Sequence, residues 1–308
     1  MNRLALPILC LCLLGAAQGA GAETREAAPE RTPGADPGPG VGFDAVLALE
    51  APAPARTLSY GVDPLQYGQL WLPAVPGRAP VVVLIHGGCW LNAYGADHAM
   101  ALAGALAEAG FAVWSLEYRR VGDPGGGWPG TGEDVLAGID RLADLAEEAP
   151  VDLGRVALVG HSAGGHLALW AAGVLGPDAR VRPRAVVGLA AITDPAAYAL
   201  GDNSCEVATP RFMGGTPAQV PARYVAASPF SSLPSGVDTY LVQGDADAIV
   251  PPMQARAFAA AAAGAGQSVA LRMLPGFGHF ALIHPATEAF AVLRDLLQQA
   301  LSAPEAGS

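Results

Sequence analysis

Short continuous apolar runs alternate with longer Ala-, Leu- and acid-rich stretches along most of this chain. Residues 81 to 86 (VVVLIH), introduced by Pro80, form a β-branched run of the kind buried on both faces of a sheet. Residues 111 to 118 (FAVWSLEY), 155 to 160 (RVALVG), 185 to 190 (AVVGLA), 239 to 244 (TYLVQG) and 269 to 274 (VALRML) read as further strands. Residues 69 to 72 (QLWL) follow a turn-rich stretch and read as an early antiparallel strand. Between these runs, helices are predicted over 97 to 109, 131 to 148, 163 to 174, 253 to 263 and 285 to 301. Gly110 is a stop for the first, and Thr131 with Glu133 and Asp134 suits the start of the second. Strand and helix in repeated alternation predict an α/β fold: a mostly parallel central sheet with helices on both faces. In such sheets the chemistry gathers at the carboxyl ends of the strands.

The two ends of the chain fall outside this pattern. Residues 1 to 22 read as a secretory signal: Arg3 supplies the positive region, and residues 4 to 14 form an apolar run of 11 residues, too short to span a bilayer. Ala20-Gly21-Ala22 offers a small-x-small cleavage site. Residues 23 to 42 are rich in Pro, Gly, Ala and charge and read as a flexible leader, and residues 302 to 308 as a similar tail. One domain over residues 43 to 301 is the simplest division. The expected location is secreted or periplasmic, with no stable membrane insertion. Of four cysteines, Cys10 and Cys12 leave with the signal; Cys89 and Cys205 remain, on loops expected at the same end of the sheet. They form either one disulfide or two free thiols, a choice that sequence alone leaves open.

Composition narrows the chemistry. The 308 residues carry 28 acidic and 17 basic side chains, a formal charge of -11, and all 17 basic residues are arginine. Without lysine there is no P-loop lysine, no Schiff-base lysine and no Ser-Lys dyad. The acidic balance argues against a nucleic-acid partner, for which a basic face does most of the binding. Loss of Arg3 with the signal makes the charge -12, a solubility feature that does not point to a charged substrate.

Four loops carry candidate chemistry. Gly160-His161-Ser162-Ala163-Gly164 lies between the strand VALV and an Ala/Leu helix, the strand–turn–helix context that a nucleophile elbow requires. Its flanking glycines remove side chains that would collide with strand and helix, and the following helix aims amides at an oxyanion. A serine hydroxyl is a weak nucleophile and needs a base. Among six histidines His279, in Gly276-Phe277-Gly278-His279-Phe280, fits a late loop best; His284 precedes Pro285 and reads as a helix-start residue, while His161 and His166 read as structural. The acid comes from Gly244-Asp245-Ala246-Asp247-Ala248-Ile249-Val250-Pro251, where the spacing picks Asp247 and leaves Asp245 as the alternative that caps the loop. Two glycines in His86-Gly87-Gly88-Cys89-Trp90 let backbone amides approach a developing alkoxide, so Gly87 or Gly88, with Ala163, are the candidate oxyanion donors. His86 is expected to orient that loop. Trp90 either walls an acyl pocket or packs in the core. Trp128, in Gly125-Gly126-Gly127-Trp128-Pro129, either lines the pocket mouth or packs in a turn. Residues 193 to 235, rich in Pro and Gly, are expected to supply a short cap holding Phe212, Met213 and Tyr224.

Together these loops resemble the α/β-hydrolase superfamily, in the esterase branch that holds hormone-sensitive-lipase-like esterases, feruloyl-esterase-like enzymes and kynurenine formamidases. The resemblance spans roughly residues 69 to 301, and Glu117-Tyr118-Arg119 sits where that branch often carries an acid-Tyr-Arg segment. It departs at Cys89, where many lipase-type members have a third glycine. The resemblance implies the α/β-hydrolase fold with a short cap insertion, a Ser162–Asp247–His279 triad, a small-molecule ester substrate, and neither cofactor nor metal; the oligomeric state stays open. Three readings remain at this point: a carboxylic ester hydrolase, an arylformamidase using the same triad, and a non-catalytic binding protein on a hydrolase scaffold.

Overall fold

The computed structural model describes residues 40–302. The signal segment and nearly all of the leader expected from the sequence lie outside the described residues, as does the tail beyond Ser302. A short helix α1 (Phe43–Leu47) precedes the sheet strands β1 (Arg56–Ser59), β2 (Tyr67–Trp71) and β3 (Ala79–Ile85). A 3-10 turn (Ala96–Ala99) runs into α2 (Met100–Glu108), followed by β4 (Ala112–Leu116), α3 (Gly130–Glu148), β5 (Val151–His161) and α4 (Ala163–Val174). After β6 (Ala185–Leu189) come three cap helices, α5 (Pro195–Tyr198), α6 (Ser204–Met213) and α7 (Pro221–Ala227). The chain closes with β7 (Asp238–Gly244), α8 (Met253–Gly264), β8 (Val269–Leu274) and α9 (Glu288–Ala300).

Eight strands form one sheet in the order β1-β2-β4-β3-β5-β6-β7-β8. The β1–β2 and β2–β4 pairs are antiparallel, and every pair from β4–β3 through β7–β8 is parallel. Strand β1, with its alternating half-buried and exposed RTLS, has too few apolar residues to stand out in the sequence. Side chains of β3 divide between two cores with the period of two that a pleated strand imposes. Val81, Val83 and Ile85 face a core shared with α3, α4 and α8, whereas Val82 and Leu84 face one shared with α2 and α9. This is why residues 81 to 85 include no polar position: both faces are covered.

Helix α3 starts one residue ahead of the expected Thr131, and Asp134 near this start has a specific partner. It is buried, 1% exposed, and accepts from Arg119 Nε (2.8 Å) and Nη2 (2.5 Å), from the Arg119 amide (3.0 Å) and from Gln66 Nε2 (2.7 Å). Thr131 does not cap the helix; its hydroxyl donates to the Arg119 carbonyl at 2.6 Å. The pair clamps β4's outgoing loop onto α3. A forked guanidinium does this with two nitrogens at once, which a lysine cannot. Asp134→Ala would strand the arginine and lower unfolding stability by about 3 kcal/mol, measured by urea denaturation. An unchanged midpoint would show that this clamp contributes nothing.

Candidate active site

The elbow forms between β5 and α4. Ser162 has φ 57° and ψ -119°, in the left-handed half of backbone space that a side chain tolerates poorly. The chain can turn this sharply because its neighbours are small. A Cβ on Gly164 would overlap the carbonyl oxygens of Ile85 and His86, and one on Gly165 would strike Ala191. The Ser162 amide donates to the Leu189 carbonyl at 2.9 Å, tying the turn to the end of β6. The next residue, Ala163, opens α4, so its amide is among those a helix leaves without an internal partner.

The late loops converge on this turn. His279 Nδ1 lies 2.8 Å from Asp247 Oδ2, both groups being buried. The other carboxylate oxygen of Asp247 accepts the amides of Ile249 (2.8 Å) and Val250 (2.9 Å), and Gln243 Nε2 reaches Oδ2 at 3.2 Å. These donors hold the carboxylate aimed at His279. Asp245 points elsewhere and accepts the Gly276 amide at 2.6 Å, closing the two loops onto each other. His161 Nε2 faces the His279 carbonyl at 3.1 Å, with the two rings 4.4 Å apart, so the elbow's own histidine supports the base through its backbone. His166 Nε2 faces the Ala227 carbonyl at 2.8 Å, behind the elbow. Both are structural.

Gly87 packs directly on the elbow: a Cβ there would come within 3.2 Å of Ser162 Cβ and 2.9 Å of the His161 carbonyl oxygen. Gly88 lines the same cavity as Ser162 and His279 and has φ 106°. The loop is anchored from beneath. His86 Nε2 lies 3.0 Å from Glu117 Oε1, its Nδ1 2.8 Å from the Gly87 carbonyl, and its ring stacks on Tyr118 at 4.3 Å. Tyr118 donates its hydroxyl to the His86 carbonyl at 2.7 Å. Glu117 also accepts the Ala96 amide and pairs with Arg120. Burial pushes the Glu117 carboxyl up, but His86 and Arg120 outweigh this and hold it below the usual range. The acid-Tyr-Arg segment thus anchors the loop of residues 86–90, the candidate oxyanion loop.

The cavity over Ser162 holds about 140 Å³. Its walls include Phe43, Tyr94, His98, Phe280, Ile249 and the Cys89–Cys205 disulfide, which the structure forms with a Cα–Cα distance of 4.9 Å. Trp90 and Trp128 are corrected. Trp90 is fully buried and stacks on Phe212 at 4.6 Å, and Trp128 packs edge-on against Trp170 at 4.9 Å; neither lines this cavity. Left-handed backbone at Cys89 (φ 52°) and Trp90 (φ 57°) goes with this placement, Trp90 lying under the cap while Cys89 lines the cavity. Phe280 follows His279 and Ile249 lies two residues beyond Asp247, so both were within reach of the sequence reading. Phe43 and Tyr94 carried no signal, since only folding brings them together, 5.7 Å apart. Among the described residues no cluster of three or more His, Cys, Asp or Glu is set to hold a metal ion, and no helix is long and apolar enough to cross a membrane.

Comparison with known proteins agrees with this geometry. The family model described as BD-FAE matches residues 69–261, which include Ser162 and Asp247 and stop short of His279. The esterases LipC and LipQ of Mycobacterium tuberculosis are 29% and 28% identical over 76% and 74% of this chain. The chain spans 65% and 59% of their lengths, less than two thirds of either. A solved truncated form of a carbohydrate esterase from gut microbiota superposes with a TM-score of 0.72 at 22% identity, covering 82% of this chain and all of that one. That likeness establishes the α/β-hydrolase fold.

Three buried histidines set an acid limit on stability. Burial pushes His98 and His166 down to about 4, and His161, with His279 beside it, well below its ordinary value. Neutral when folded, they take up protons only on unfolding as pH falls below about 6.5, so acid favours the unfolded chain. His98 and His166 each contribute a slope of about 1.4 kcal/mol per pH unit between roughly 6.5 and 4, and His161 acts in the same direction. Urea unfolding at pH 7 and pH 5 should therefore show a loss of at least about 2 kcal/mol, and a flat profile would contradict the burial.

Proposed function

We propose that this chain, which belongs to the BD-FAE family, hydrolyses carboxylic esters of small or medium acyl and aryl groups. One observation carries the reading. His279 is held by Asp247 at 2.8 Å and shares a cavity with Ser162, which stands on a strained elbow. Esterase names among the relatives support it.

The chemistry is acyl transfer in two steps. Ser162 attacks the ester carbonyl as His279 Nε2 takes its proton, and Asp247 stabilises the imidazolium that forms. Amides at Gly87 or Gly88, with Ala163, receive the oxyanion. His279 then protonates the departing alcohol and next deprotonates water, which frees the acid and restores Ser162. No lysine enters any step. The cavity matches in size the roughly 150 Å³ void that accommodates a benzene ring, which limits the group it encloses to a short acyl chain or one small ring. The N-terminal segment of residues 1 to 22 supports export, and we propose a secreted or periplasmic location.

Purified protein should hydrolyse short p-nitrophenyl esters and take up a fluorophosphonate on Ser162. Ser162→Ala should abolish both. Asp247→Asn should lower turnover by about 10⁴-fold, and Asp245→Asn far less, because Asp245 bonds Gly276 and not the base. Formyl-kynurenine cleaved faster than any ester in the same panel would replace this reading with a formamidase. Absence of all labelling and hydrolysis would leave a binding protein.

A further inference from the structure

The oxyanion loop is held in a costly shape. Gly88, Cys89 and Trp90 are successive left-handed residues, with φ of 106°, 52° and 57°. Glycine adopts this readily, but the other two require outside support. The support comes from one cap helix, α6, at both of its ends. Its first turn supplies Cys205, bonded to Cys89; its last turn supplies Phe212, stacked on Trp90 with the rings 8° from parallel. The start of α6 is itself fixed. Asn203 and Glu206 form a reciprocal capping box, and Asn203 Nδ2 donates to the Ile249 carbonyl at 2.9 Å, as Tyr198 does at 2.8 Å. Ile249 in turn donates its amide to Asp247. The residues from Asn203 to Cys205 therefore touch the oxyanion loop on one side and the acid loop on the other. Both cysteines also line the cavity.

We propose that the Cys89–Cys205 disulfide is a positioning element of the active site. It locks the left-handed oxyanion loop against α6 and keeps it in register with the Asp247 loop, so that the oxidised protein is the active form. The proposal rests on the ester-hydrolase reading above. Cleavage of the bond needs two electrons and two protons; a tertiary phosphine and one water supply them and leave as the phosphine oxide, with two thiols remaining. Neither cysteine hydrogen-bonds to His279 or Asp247, so the change acts first on the loop of residues 88–90. What changes is the placement of amides that act only on the developing oxyanion. The loss therefore belongs in kcat, not KM.

The test compares turnover of p-nitrophenyl acetate by the oxidised protein and by the phosphine-reduced protein, with thiol content read by mass and folding by near-ultraviolet circular dichroism. Reduction should lower kcat by about 100-fold with KM nearly constant, and reoxidation should restore it. Glycine takes a positive φ without support, so Cys89→Gly should retain about tenfold more kcat than Cys89→Ala and should ignore the phosphine. This pair keeps the test decisive should the reduced wild type unfold. An active oxidised protein whose kcat survives reduction, or equal kcat in the glycine and alanine variants, would overturn the proposal. An oxidised protein inert to every ester removes the ester-hydrolase reading, and this inference with it.

Discussion

Ser162 occupies a backbone conformation that an isolated peptide would abandon, and the surrounding fold exists in large part to prevent that. The turn is squeezed between the carbonyl ends of β3 and β6 and the first residues of α4. Ile85 and His86 lie against Gly164, Ala191 against Gly165, and the Leu189 carbonyl on the Ser162 amide. Each contact needs a central parallel strand with covered neighbours on both sides, which is what the order β4-β3-β5-β6 provides. Strain at one residue of order 1–3 kcal/mol is sustained because sheet and helix together over-determine it. The serine is thereby lifted off both elements and stands where the late loops can reach it.

A second constraint is the burial of charge beneath the oxyanion loop. Glu117 and Arg120 are 4% and 5% exposed, and Glu117 spends its two oxygens on His86, the Ala96 and Tyr118 amides and Arg120. Such a network adds little net stability over an apolar packing of the same volume, but it tolerates only one arrangement of its members. That single arrangement is what the proposed oxyanion role would require, because backbone amides act through position alone. Arg119, the neighbour of Arg120, turns instead to Asp134 on α3.

Local chemistry was legible in the sequence wherever one short segment decides it. Helix α4 begins at Ala163 and ends at Val174 as its Ala/Leu run indicated, because the elbow fixes its start. Asp247 could be told from Asp245 by spacing alone, since the Ile249 and Val250 amides that hold it lie two and three residues further on. The disulfide was legible only as an even choice, because it joins residues 116 positions apart and depends on where the cap lands. The two tryptophans misled for a related reason. An aromatic beside a glycine-rich loop is compatible with a pocket wall or with core, and the choice belongs to Phe212 and Trp170, residues on other elements. The start of α3 was legible to within one residue, whereas the pairing of Asp134 with Arg119 was not, because it depends on where the loop after β4 lands.

The same distinction separates mechanism from selectivity. Each residue of the proposed mechanism sits in a motif of a few residues, so that reading rests on local sequence. The cavity walls are assembled differently. Phe43 comes from α1 ahead of the sheet, Tyr94 from the stretch after the oxyanion loop, Phe280 from beside the base, and Ser204 with Cys205 from the cap. Phe43 meets Tyr94, His98 and Phe280 with ring centroids 5.3 to 5.7 Å apart, a contact between segments that no motif records. The matched family region, residues 69–261, leaves out both Phe43 and Phe280. The short helix α1 thus shapes the cavity through Phe43, a wall residue remote in sequence from Ser162, Asp247 and His279.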